Sequence, residues 1–223
     1  MLSYKPEAVL FDLDGTLLDT APDFVRVVNQ QLNLHNMESA DPERIRQTVS
    51  NGARALINLA FGLDEGDVHF VSRHTELLDL YEQSIADETV FFPGIDLLLK
   101  ELERRSIPWG VVTNKPSRFT LPLLNKLQLS DRCSVTICPD DVSKRKPDPE
   151  PLFLACKKIA CSPEKTIYVG DHARDIEAGQ RAGMTTIAAR YGYIDSPERV
   201  LDWNADFIID HGNELTEWLK AVD

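Results

Sequence analysis

Six short stretches of the chain are almost continuously apolar and rich in Val, Ile or Thr: AVLFD (8–12), WGVVT (109–113), VTIC (135–138), TIYVG (166–170), TTIAA (185–189) and DFIID (206–210). Strands buried on both faces of a parallel sheet carry this signature, because neither face alternates to solvent. Between them the apolar period changes to that of a helix. Ile95, Leu98, Leu99 and Leu102 fall at i, i+3, i+4, i+7, and Leu152, Ala155, Cys156 and Ile159 do the same. Short strands alternating with amphipathic helices predict an α/β fold with a doubly wound, mostly parallel sheet. In such sheets ligands bind beyond the carboxyl ends of the strands.

The alternation is interrupted once. From about residue 18 to residue 90 no convincing strand pattern occurs. Thr20-x-x-Asp23 has the form of a capping box, opening a helix that carries Phe24, Val27, Val28 and Leu32 on one face. Further helical segments are expected around 42–62 and 67–86. The pattern predicts two units: an α/β core of residues 1–17 and 91–223, and an all-helical insertion, 18–90, hung from the first strand–helix connection.

Composition narrows the function more than the fold. The 223 residues have a formal charge of −12, which argues against nucleic acid or an anionic membrane surface as the main partner. A small anionic substrate remains compatible, since a local cationic pocket overrides the global field. The N-terminal MLSYKPEAVLF lacks the apolar stretch and cleavage site of a secretory signal, and no apolar run approaches a membrane span. The four cysteines, at 133, 138, 156 and 161, have spacings that fit zinc poorly and read as reduced thiols of a cytoplasmic protein. Nothing in the chain marks an oligomer interface.

Candidate chemistry gathers at the carboxyl ends of four expected strands: Asp12 and Asp14 after the first, Thr113-Asn114-Lys115 after the second, Lys146-Pro147 beyond VTIC, and Gly170-Asp171 with Asp175 after TIYVG. Any one alone is commonly a helix cap or a surface turn. The fold, however, brings that rim together in space. Asp12, Asp14 and Asp171 would make an all-oxygen site suited to Mg²⁺, which is held by carboxylates together with substrate phosphate. Thr113 and Lys146 would add a hydroxyl and a positive charge where phosphoryl oxygens sit. One carboxylate can attack phosphorus, and a second, two residues on, can move the protons. Arg54, in NGAR of the insertion, could meet a carboxylate elsewhere on a substrate, or be a helix-surface arginine. His172 reads as a bystander beside Asp171.

The motifs DLDGTLLD, VVTNKP, KPDP and VGDHARD resemble, in order and spacing, the four motifs of the haloacid dehalogenase-like phosphatases, over essentially the whole chain. The resemblance implies a Rossmann-like core, with Asp12 as nucleophile and Asp14 as general acid/base. It also implies that Thr113 and Lys146 bind the phosphoryl group. Mg²⁺ would be ligated by Asp12, the backbone carbonyl of Asp14, and Asp171, with Asp175 in support. The insertion would be a cap that closes over a small phosphorylated metabolite. Within the superfamily, TNKP and RYGY (190–193) are similar to the phosphoglycolate phosphatase branch. SNGARALI, ICPDDV, KPDPEPLFLACK and RYGYI are similar to bacterial N-acetylmuramic acid 6-phosphate phosphatases. Phosphotransfer of the phosphosugar mutase kind, or a catalytically silent binding module, are the alternatives.

Overall fold

A computed structural model describes residues 4–194 and 196–222. In chain order it contains β1 (Ala8–Phe11), β2 (Leu18–Asp19), α1 (Ala21–Leu34), α2 (Pro42–Thr48), α3 (Ala53–Phe61), α4 (Phe70–Gln83), β3 (Val90–Phe91), α5 (Ile95–Arg104) and β4 (Trp109–Val112). There follow α6 (Ser117–Lys126), β5 (Val135–Ile137), α7 (Glu150–Ile159), β6 (Thr166–Gly170), α8 (Ala173–Arg181), β7 (Thr185–Ala189), β8 (Phe207–Ile209) and α9 (Gly212–Lys220). No helix among the described residues is long and apolar enough to cross a membrane.

All six expected strands form, in one parallel sheet of order β5-β4-β1-β6-β7-β8. The register explains their unbroken apolar character. Val9 and Phe11 enter the core shared with α5 and α9, whereas Leu10 packs on the opposite face with Leu152 of α7 and Ala178 of α8. Each strand is therefore covered on both sides, and the strand order in the sheet places β1 inside it, with β4 and β6 as its neighbours. The carboxyl ends of those three strands deliver Asp12, Thr113 and Asp171 to one rim.

The segment between β1 and β4 departs from expectation in three ways. A two-stranded antiparallel ribbon, β2 against β3, closes its ends, where no strand was expected. The Thr20–Asp23 capping box does not form. Thr20 Oγ1 instead donates to Asp14 Oδ1 at 2.5 Å. The buried Asp23 carboxylate accepts from Glu88 N, Thr89 Oγ1 and Arg26 at 3.0, 2.6 and 2.9 Å. Both side chains have partners that are charged or distant in sequence, and these outcompete the local backbone. The expected helix over 42–62 is split into α2 and α3 by a single 3-10 turn at Val49–Asn51, ending at Gly52 with φ of 86°. That turn faces the sheet rim.

Candidate active site

At the rim, Asp12, Asp171 and Asp175 are all buried, and each can place a carboxylate oxygen within 4.8 Å of the others. The chain can nest acids this closely because the opposing backbone lacks side chains. A Cβ on Gly15 (φ 82°) would lie 2.0 Å from Asp171 Oδ2, and one on Gly192 would lie 2.3 Å from Asp171 Cβ. Asp14 lies outside the triplet. Its carboxylate accepts from Thr20 Oγ1 at 2.5 Å, and from Lys115 Nζ at 3.0 Å on Oδ1 and 3.3 Å on Oδ2.

Lys146 sits beneath the acids with no side-chain exposure. Its Nζ lies 3.0 Å from Asp12 Oδ1 and 2.8 Å from Asp175 Oδ1. It also donates to Val112 O and Tyr168 Oη, at 2.9 and 2.7 Å. Burial opposes ionisation of Asp12, but Lys146 and Arg174 outweigh it and hold its carboxyl below the ordinary 3.8. The other two acids go the other way. Burial first, then the charges of Asp12 and Asp175, push Asp171 up to about 7. Burial and Asp12, opposed by Lys146 and Arg174, raise Asp175 to about 6. Three buried carboxylates thus share too little positive charge from the protein itself, and their donor set is oxygen only. This is what a hard divalent cation would complete.

Thr113 is buried on the cavity wall, its Oγ1 accepting from Lys115 N at 3.1 Å. Asn114 donates Nδ2 to Lys146 O at 3.1 Å, and its Oδ1 has no donor among the described residues. A cavity of about 550 Å³ opens above these residues, roofed by the 3-10 turn and by α1, α3 and α4. Arg54 lines it from α3, while its exposed guanidinium pairs with Glu65 Oε1 at 2.5 Å.

The profile of the haloacid dehalogenase-like hydrolases matches residues 9–189, spanning every one of these side chains. The chain belongs to that family. It is 44% identical over 222 residues to the N-acetylmuramic acid 6-phosphate phosphatase of Pseudomonas aeruginosa, covering 100% of this chain and 98% of that protein. It is 38% identical over 213 residues to the phosphoglycolate phosphatase of Xanthomonas campestris, covering 95% of this chain and 96% of that one. Its fold matches the crystal structure of a predicted phosphoglycolate phosphatase from Haemophilus somnus, with a TM-score of 0.84, 24% identity, and coverage of 98% of this chain and 99% of that one. The protein is an enzyme, a phosphatase of the haloacid dehalogenase-like hydrolases.

The structure of this hydrolase also shows participants that sequence reading ranked low or missed. Lys115, which a polar loop would have explained, is buried against Asp14. Arg174 reaches from α8 to the carbonyl oxygen of Ser50 in the 3-10 turn, and its Nε has no acceptor among the described residues. Ser50 Oγ in turn donates to Asp171 Oδ2 at 3.1 Å, so the helical segment touches the acid cluster directly. The RYGY stretch carries a physical role. Tyr193 N donates to Asp171 Oδ2 at 3.0 Å, and its hydroxyl donates to Asp19 Oδ1 at 2.8 Å while accepting from Ala21 N at 2.8 Å. His172 caps α8: its Nδ1 accepts from Arg174 N, and its own N–H donates to Asp175 Oδ2.

Proposed function

We propose that this phosphatase hydrolyses N-acetylmuramic acid 6-phosphate, or a closely similar phosphosugar acid, through an aspartyl-phosphate on Asp12. The observation that carries the substrate reading is the cavity. Its volume of about 550 Å³ is in the range of sites that enclose a whole small organic ligand. A two-carbon acid phosphate would leave most of it to water. The full-length similarity to two Pseudomonas phosphatases of that substrate, at 44% and 45% identity, supports the same choice.

In this reading Asp12 Oδ1 is engaged by Leu13 N–H at 2.7 Å and by Lys146 at 3.0 Å. Oδ2 is then the oxygen that attacks phosphorus. The P–O bond to the sugar breaks, and Asp14 gives its proton to the leaving alkoxide. A water deprotonated by Asp14 then attacks phosphorus, and the bond to Asp12 breaks to release phosphate. Lys146, Thr113 and Arg174 surround the phosphoryl oxygens and offset their charge. Asp12, Asp171, Asp175 and the backbone carbonyl of Asp14 would hold Mg²⁺, which supplies Lewis-acid neutralisation of the phosphoryl group when bound. Residues 18–90 act as a cap on a core of 1–17 and 91–223, and exclude bulk water once substrate is inside. Arg54, from α3 in the cavity roof, and Asn114, held to Lys146 O beside Thr113, meet the organic half of the substrate. His74 lies beside Arg54, with its pKa lowered by burial and by that guanidinium.

A panel of phosphorylated metabolites compared by kcat/KM tests the reading. N-acetylmuramic acid 6-phosphate is expected to lead phosphoglycolate by at least an order of magnitude. Preference for phosphoglycolate would reverse the substrate assignment and leave the chemistry standing.

A further inference from the structure

One polar group in the roof of the cavity carries a proton that the fold does not use. The ring of Tyr81, from α4, is held on two sides. It stacks on Phe24 at 4.3 Å between centroids with an interplanar angle of 9°, and meets Phe119 edge-on at 5.5 Å. The residue is 1% exposed; Lys115, a donor, is the charged group beside its hydroxyl, and among the described residues no acceptor receives the hydroxyl proton. Phenylalanine would keep both ring contacts. A buried hydroxyl without an acceptor is a net cost to folding, so its presence calls for a partner that the folded chain does not provide.

The surroundings say what that partner is. Tyr81 lines the substrate cavity. The Lys115 ammonium lies 4.6 Å from its ring centroid and pairs with Asp14, which marks the leaving-group side of the site. Burial pushes the Tyr81 phenol up to about 12, so it keeps its proton and acts as a donor. With its ring clamped, the donor is fixed in direction, as a recognition group needs to be.

We propose that the Tyr81 hydroxyl is a specificity-determining donor that hydrogen-bonds an oxygen of the substrate's organic half, close to the leaving oxygen. The inference rests on the phosphatase reading of the site. It assigns a substrate contact to a cap residue, where the phosphoryl-binding residues of the core give no selectivity among phosphate esters. A phosphosugar, with a ring or hydroxyl oxygen near the ester, satisfies the donor. A phosphate ester without such an oxygen leaves it unpaired.

Tyr81→Phe, which preserves the ring, tests this with two substrates: the phosphosugar that the wild type prefers, and methyl phosphate, which offers no oxygen beyond the phosphate group. The ratio of kcat/KM for the phosphosugar to that for methyl phosphate is expected to fall about three- to tenfold, chiefly through KM, the usual worth of one hydrogen bond. The ligand-free variant should melt at or above the wild-type temperature, because the proton it removes has no acceptor and Lys115 keeps its ion pair with Asp14. An unchanged ratio, or a lower melting temperature, would overturn the proposal. Failure of the wild type to hydrolyse any phosphate ester would instead overturn the phosphatase reading itself.

Discussion

Asp171 should be a residue that the protein folds better without. Its folded pKa of about 7 stands against an ordinary 3.8, raised by burial and by the charges of Asp12 and Asp175. The folded state therefore holds this proton more tightly than the unfolded chain does. The stabilising contribution is complete below about pH 4, is lost as pH rises towards 7, and stays lost above it. The difference corresponds to about 4 kcal/mol at pH 8 in the metal-free protein. Asp171→Asn removes that charge. It also weakens the hydrogen bonds accepted from Tyr193 N, Ser50 Oγ and Thr16 Oγ1. An amide keeps one acceptor, so about 2 kcal/mol is forfeited. The net gain is about 2 kcal/mol, or roughly 4–8 °C in Tm for a chain of this size. Thermal unfolding in EDTA, scanned from pH 4 to 8, measures it. The wild type should lose stability with rising pH more steeply than the variant, and magnesium chloride should restore the wild type more than the variant. Parallel stability–pH curves, or a variant less stable than wild type at pH 8, would refute the electrostatic argument.

Lys115→Met removes the ammonium that holds Asp14, so kcat should fall about tenfold or more on alkyl phosphates, whose leaving group needs a proton. It should fall much less on an aryl phosphate with a good leaving group, and steady-state kinetics on both esters checks the contrast. Tyr193→Phe removes a donor to Asp19 and strips the Ala21 amide of its acceptor inside the core. A loss of about 1–3 kcal/mol in urea unfolding is expected.

The sheet was legible because every strand is covered on both faces, so its whole length, rather than alternate positions, had to be apolar. Val9, Leu10 and Phe11 illustrate this, with neighbouring residues committed to opposite cores. The acids at the strand ends were legible for a related reason, since charges closing apolar runs stand out. β2 and β3 were not, because two residues each are too few to show a period. The Thr20–Asp23 pattern misled because a capping box is a local arrangement. Asp14 lies six residues away from Thr20, and Thr89 sixty-six from Asp23. Lys115, Arg174 and Tyr81 were hidden for the same reason. Their meaning lies in contacts between the helical segment and the sheet rim, and no local spacing encodes those.

The central claim is that Asp12 becomes phosphorylated during turnover. Rapid acid quench of the enzyme with its preferred substrate and magnesium, followed by peptide mass analysis, tests it directly. The account predicts a single added phosphoryl group on the peptide containing Asp12, and neither adduct nor turnover in Asp12→Asn. Turnover by Asp12→Asn, or a phosphoryl group carried on another residue, would contradict it.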